Sequence, residues 1–217
     1  MIKYKINVLI LLIFFLFGIS IVKANSFPLL GRVIYIDPGH GGVDPGAIYK
    51  EIEEEDINLE ISLKLRDLLE KNGAIVYLTR DGDYDLSITK NRRKRSDLSN
   101  RVNMINNSNC DLYLSIHLNS ESTSSWRGAQ VFYDDINKNN LIFAQIMQEE
   151  FKKKLKSSRD ISEVKTIYLN KNVNVPGLLL ELGFISNPNE RYLLRQNNYQ
   201  DKINEAILNG IIKFLNN

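Results

Sequence analysis

This sequence holds only two histidines in 217 residues, and both stand where side chains can do chemistry. His40 lies in Asp37-Pro38-Gly39-His40-Gly41-Gly42, just after the apolar run Val33–Ile36. His117 closes another apolar run, Leu112–Ile116, in Ser115-Ile116-His117-Leu118-Asn119. Ligands of open parallel sheets gather beyond the carboxyl ends of the strands, so both imidazoles can converge on one crevice. Two imidazoles together point to a metal. A hydrolytic metal site needs a third protein ligand and one coordination position left open for water. The acidic run Glu51-Ile52-Glu53-Glu54-Glu55-Asp56 follows soon after His40, at the start of a helical pattern. Acids there also complement the helix dipole. One of them can still reach back over the glycine-rich loop to complete a His2Glu set, and spacing alone leaves open which.

Glu181 is the fourth residue of interest, in Leu178-Leu179-Leu180-Glu181-Leu182-Gly183-Phe184. A carboxylate inside so apolar a strand is costly to bury unless it is paired or put to work. A salt bridge would be the structural explanation. The chemical one is general base and acid: Glu181 takes a proton from water and returns it to a leaving amine. Cys110, the single cysteine, precedes the apolar strand Leu112–Ile116 and reads as a small buried residue. It permits no internal disulfide.

These residues need a scaffold, and the rest of the chain supplies one. Short apolar runs alternate with helical patterns, which predicts βαβ units and a largely parallel sheet. Strands are expected at Val33–Ile36, Ala74–Thr79, Leu112–Ile116, Gln130–Tyr133, Ile167–Leu169 and Gly177–Leu182. Ile57, Ile61, Leu65 and Leu68 mark a helix ended by Asn72-Gly73. Leu98, Val102 and Ile105 mark a second, Phe143, Met147, Phe151 and Leu155 a third, and Ile203, Ile207, Ile211 and Phe214 a closing one. The expectation is a single α/β domain over residues 25–217, a mostly parallel twisted sheet with helices on both faces.

Residues 1–24 stand apart. Lys3 and Lys5 precede an apolar run from Ile6 to Val22, and Val22-Lys23-Ala24 puts small residues at −3 and −1. This is the pattern of a signal peptide cleaved after Ala24. The alternative is an uncleaved anchor, since roughly 17–25 apolar residues can cross a bilayer, and that would be the protein's only tie to the membrane. Either way the domain is exported. The segment also accounts for the formal charge of +2: without Lys3, Lys5 and Lys23 the chain keeps 25 basic and 26 acidic residues. A near-neutral domain gives no reason to invoke nucleic acid. The cluster Arg92-Arg93-Lys94-Arg95 reads as a solvated loop or helix face, with contact to anionic wall polymer as the lesser alternative.

The motifs now have a family context. Ile36-Asp37-Pro38-Gly39-His40-Gly41-Gly42, Asp56-Ile57-Asn58-Leu59, Thr79-Arg80, Ser115-Ile116-His117-Leu118-Asn119 and Glu181-Leu182-Gly183-Phe184-Ile185-Ser186-Asn187 occur in order. Together they resemble the zinc-dependent N-acetylmuramoyl-L-alanine amidases of the type 3 class over nearly the whole domain. That resemblance implies one zinc per chain held by His40, Glu54 and His117, Glu54 standing two places before Asp56, with Glu181 as the catalytic glutamate. It implies a peptidoglycan substrate, cut between the lactyl group of N-acetylmuramic acid and L-alanine. Arg92–Leu98 and Ser124–Tyr133 are further similar to the germination-specific, CwlD-type amidases of endospore formers. This implies spore cortex as the setting, a step toward muramic-δ-lactam, and an accessory or activating protein as a possible partner. Ser120 departs from the alanine common after the Asn, without expected catalytic consequence. The competing expectations are a general cell-separation amidase, a zinc peptidase cutting within stem peptides, and a catalytically inactive wall-binding domain.

Overall fold

The computed structural model describes residues 27–216. The segment expected to act as a signal peptide lies outside the described residues. The described chain forms strands β1 (Val33–Pro38), β2 (Ile48–Tyr49), β3 (Ile52–Glu53), β4 (Ile75–Leu78), β5 (Leu112–Asn119), β6 (Gln130–Tyr133), β7 (Ser162–Glu163) and β8 (Gly177–Phe184). Its helices are α1 (Glu54–Lys71), α2 (Arg93–Asn106), α3 (Asn140–Leu155), α4 (Tyr168–Asn172), α5 (Pro188–Leu194) and α6 (Asn197–Leu215). Six strands make one sheet in the order β4-β1-β5-β8-β6-β7, while β2 and β3 form a separate small ribbon. β4, β1, β5 and β8 run parallel, and β6 runs antiparallel to β8. The expected architecture, a mostly parallel sheet between helices, is the one observed.

Side-chain alternation assigns the two faces. Ile34 and Ile36 of β1, Leu112, Leu114 and Ile116 of β5, and Leu178, Leu180 and Leu182 of β8 point into the larger core. There they meet Ile57, Ile61, Leu65 and Leu69 of α1, Phe143, Met147 and Phe151 of α3, and Ile203, Ile207 and Ile211 of α6. Each of these fully buried aliphatic side chains contributes about 1.5–3 kcal/mol. The residues between them face the other way. Tyr35 and Tyr113 join Val102, Ile105 and Cys110 in a smaller core, completed by Leu169 and Val173. Asp37, Ser115, His117 and Glu181 share that parity, so all four emerge on this thinner face near the strand ends. Register confirms the alignment: Asp37 lies beside Ser115, and His117 beside Glu181.

Three details differ from the sequence expectation. The stripe of α1 continues from Leu65 to Leu69, which is fully buried, rather than to Leu68. Ile167–Leu169 is not a strand. Ile167 is the extended residue before α4, and Leu169 is buried from a helical turn. Three apolar residues carry too little periodicity to separate the two forms. The strand of this region is instead Ser162–Glu163, a two-residue edge with no apolar alternation to announce it. Helix α5 was also missed, although Asn187-Pro188-Asn189-Glu190 is a start signal. The Asn187 side chain accepts hydrogen bonds from the Asn189 and Glu190 amides, and Pro188 opens the helix. Cys110 is buried and free, as expected.

Candidate metal centre

His40, Glu54 and His117 come together. Their ligand atoms lie within 4.8 Å of one another. Glu54 Oε1 is 3.2 Å from His40 Nε2 and 3.1 Å from His117 Nδ1, with the rings edge-on at 81°. The choice among adjacent acids follows from helix geometry. Glu54 opens the helix on the face turned toward the strand ends, and a rotation of about 100° per residue carries Glu55 off that face. Glu53 remains in β3, and Glu55 is buried outside the group of three.

The carboxylate of Glu54 is held rigidly. Oε1 accepts from the Leu118 amide at 3.0 Å and from Asn58 Nδ2 at 3.2 Å, and Oε2 accepts from the Ala47 amide at 2.9 Å. Burial opposes its charge, but hydrogen bonds and proximity to both histidines hold it well below the usual carboxylate range. Burial likewise opposes charge on His117, and Glu54 overrides it, so the imidazole is raised above its ordinary value. His40 is oriented from its other side, Nδ1 lying 3.2 Å from Asp44 Oδ1. A carboxylate placed against the far nitrogen of a ligand ring fixes its direction and tautomer. The backbone is shaped for the same purpose. His40 adopts φ +64°, a left-handed conformation that costs a non-glycine residue free energy. A Cβ on Gly39 would stand 2.3 Å from the His117 ring, so only glycine lets the loop pass that closely.

Two buried arginines hold this strained turn. Arg80 donates to the carbonyls of Pro38 and Gly39, and Arg101 to those of Pro38 and His40. Arg101 also meets Asp37 at 2.8 Å, both side chains being 2% exposed. Burial alone would push Asp37 up. The charge of Arg101 and hydrogen bonds from Ser115 and Thr79 outweigh it and hold Asp37 below its ordinary 3.8. None of these roles was read from the sequence. The signal for Arg101 was present: it lies within the stripe of Leu98, Val102 and Ile105, where an arginine must have buried acceptors.

Arg101→Met is therefore expected to cost about 3–5 kcal/mol, because it strands a buried carboxylate. The pH dependence has a definite sign. The depressed Asp37 stabilises the wild type above 3.8, and that contribution disappears as pH falls through its folded value. Protonation relieves the variant, so the stability gap, measured by urea unfolding, is expected to be widest near neutrality and to narrow in acid.

Glu181 stands next to His117 on the neighbouring strand, with Gln130 on its other side. It is not one of the three clustered ligands. Its Oε2 is buried without a hydrogen-bond partner. Burial, which His117 partly counters and the charge of Glu54 reinforces, pushes its pKa up to about 7. No arginine or lysine pairs with it among the described residues, which removes the salt-bridge explanation. The arrangement offers two imidazole nitrogens and one carboxylate oxygen around a common point, with a second carboxyl beside them poised to exchange protons near neutrality.

Comparison with known proteins places the chain in a family. Residues 34–213 match the N-acetylmuramoyl-L-alanine amidase family model. The chain is 44% identical over 197 residues to the germination-specific N-acetylmuramoyl-L-alanine amidase of Bacillus subtilis, covering 88% of this chain and 83% of that protein. It is 32% identical over 201 residues to the amidase LytC of the same organism, covering 91% of this chain but only 38% of that longer protein. Among solved structures, the CwlD amidase of Clostridioides difficile, in complex with the GerS lipoprotein, superposes with a TM-score of 0.81 at 41% identity. That match covers 85% of this chain and 98% of the other. The catalytic domain of CwlV from Bacillus (Paenibacillus) polymyxa gives 0.76 at 28% identity over 85% and 98%. Family match, identity and fold lead to one conclusion: the chain belongs to the N-acetylmuramoyl-L-alanine amidase family.

Proposed function

We propose that this protein, exported by residues 1–24, is a zinc amidase that removes stem peptides from spore-cortex peptidoglycan. The bond cut joins the lactyl group of N-acetylmuramic acid to L-alanine. The observation that carries the reading is the convergence of His40, Glu54 and His117 beside Glu181. The donor set suits zinc, which takes imidazole nitrogen and carboxylate oxygen in sites that keep one position open. Asp44 behind His40 and the amides behind Glu54 supply the outer contacts that such ligands require. When bound, zinc supplies Lewis acidity, polarising the scissile carbonyl and making water acidic enough to attack it.

The chain's own residues do the rest. Glu181 accepts a proton from the attacking water and passes it to the nitrogen of L-alanine as the amide breaks. Its unpartnered oxygen leaves it free to do so, and burial raises its affinity for a proton. Arg80, Arg101 and Gly39 hold the turn that presents His40 against His117. The cortex setting rests on the 44% identity to a germination-specific relative. An accessory protein belongs to the same reading, because the Clostridioides difficile relative was solved with a lipoprotein bound.

Mass spectrometry of peptidoglycan digested by the purified domain tests the bond. The expected products are an intact stem peptide with a new L-alanine amino terminus and a muramic acid with a free lactyl carboxyl. Release of dipeptides or D-alanine would replace the amidase reading with a peptidase one. Deleting the gene is expected to yield spores without muramic-δ-lactam that form few colonies. Normal lactam content would overturn the cortex setting and leave the chemistry standing.

A further inference from the structure

A cavity of about 210 Å3 opens beside the metal centre, bounded by His40, His117, Leu98, Leu169, Leu179 and Lys94. Arg101 also reaches it, but its nitrogens are committed to Asp37, Asp97 and the carbonyls of Pro38 and His40. Lys94 differs. Its side chain is 72% exposed, and its ammonium has one partner, Asp44 Oδ2 at 3.2 Å. An ammonium carries three donors, so Lys94 can hold a second carboxylate without releasing the first. Tyr168 lines this cavity and also a broad groove beyond it, bordered by Lys90, Arg92 and Arg95. Arg93 is spent on Asp85 at 2.6 Å, whereas Lys90, Arg92 and Arg95 have no carboxylate partner among the described residues. Folding stability does not explain these cations. They crowd the start of α2, whose first turn holds no acid, where positive charge opposes the helix dipole.

We propose that Lys94, with Arg92 and Arg95 beyond it, forms a carboxylate-binding subsite that receives the free carboxylates of the stem peptide, beginning with that of the D-glutamate after L-alanine. The inference rests on the amidase reading of the site. The geometry matches the substrate's chemistry. Lys94 reaches the metal centre through Asp44 and His40, two contacts of 3.2 Å each, and the D-glutamate α-carboxylate lies one residue past the scissile amide. The cluster that the sequence presented as a solvated helix face is solvated, and it also lines two adjoining spaces: Lys94 the cavity beside His40 and His117, Arg92 and Arg95 the groove that meets it at Tyr168.

The test uses zinc-loaded protein and two soluble muramoyl peptides, identical except that the D-glutamate α-carboxyl is free or amidated. Binding is measured by calorimetry in a Glu181→Gln background, so that neither ligand is consumed. The free acid is expected to bind about fivefold more tightly than the amide, the upper end for a solvent-exposed ion pair. Adding Lys94→Gln should bring the two affinities together, and Lys94→Arg should restore the preference. The ratio is internal to each variant, so a change in zinc content that weakens both ligands alike leaves it intact. A preference that survives Lys94→Gln combined with Arg92→Gln and Arg95→Gln, or a parent that binds both peptides equally, would overturn the subsite. Cleavage by the wild type is scored separately. Correct cleavage without preference sinks the subsite alone, and preference without cleavage at the lactyl–alanine bond sinks the bond assignment alone.

Discussion

Glu181→Gln is expected to leave the fold and the zinc content intact while reducing turnover by roughly 10²-fold or more. The substitution preserves shape and hydrogen-bonding capacity and removes only the ability to carry a proton. Because Oε2 has no partner, no hydrogen bond is lost in the exchange. In the metal-free protein a carboxyl raised to about 7 by burial destabilises the fold when ionised, so there the neutral amide should also be slightly more stable above that pH. Higher thermal stability with lower turnover is a combination that separates a chemical role from a structural one. The measurements are zinc stoichiometry, melting temperature and single-turnover rates on a muramoyl peptide. Loss of zinc together with activity would make Glu181 a ligand, and near-normal turnover would make it a structural residue.

The site was legible in the sequence where residue type and position beyond a strand end mark it, as with His40 and His117. Glu181 stood out as a carboxylate inside the apolar run Leu178–Leu182, whereas its place beside His117 is a matter of strand register. Glu54 was different. Three consecutive acids satisfy the same spacing, and only the start of α1 at Glu54, with Ala47 and Leu118 offering their amides, distinguishes it. The resemblance had pointed to the same residue. Arg80 and Arg101 were invisible as a pair because they act across 41 to 64 residues of chain on a single turn. The stripe of Leu98, Val102 and Ile105 marks Arg101 as buried, but nothing local says which carbonyls it serves. Secondary structure failed for the same reason. Ile167–Leu169 and Ser162–Glu163 lie between α3 and β8, where packing onto the smaller core, not local pattern, decides the conformation.

The ligand assignment makes the largest prediction. His40→Ala or His117→Ala should abolish tight zinc binding, and with it activity, because two remaining donors do not make a site. Glu54→Ala should weaken retention far more than Glu55→Ala, although the two are adjacent and both buried. The contrast follows from their surroundings. Removing Glu54 takes a donor from the group and frees two amides, whereas Glu55 lies outside the group with one oxygen unpartnered. Burial has pushed Glu55 up to about 7, so its loss relieves a cost rather than removing a contact. Asp44→Asn gives an intermediate case. It keeps the ring contact to His40 but weakens it, for an expected loss of about 10- to 100-fold in zinc affinity. Elemental analysis of active protein, followed by chelator titration of each variant, checks the series. Absence of a transition metal from active protein would remove the metal from the mechanism. Reversal of the Glu54 and Glu55 effects would move the third ligand one residue along α1, onto a side chain that the fold turns away from both histidines.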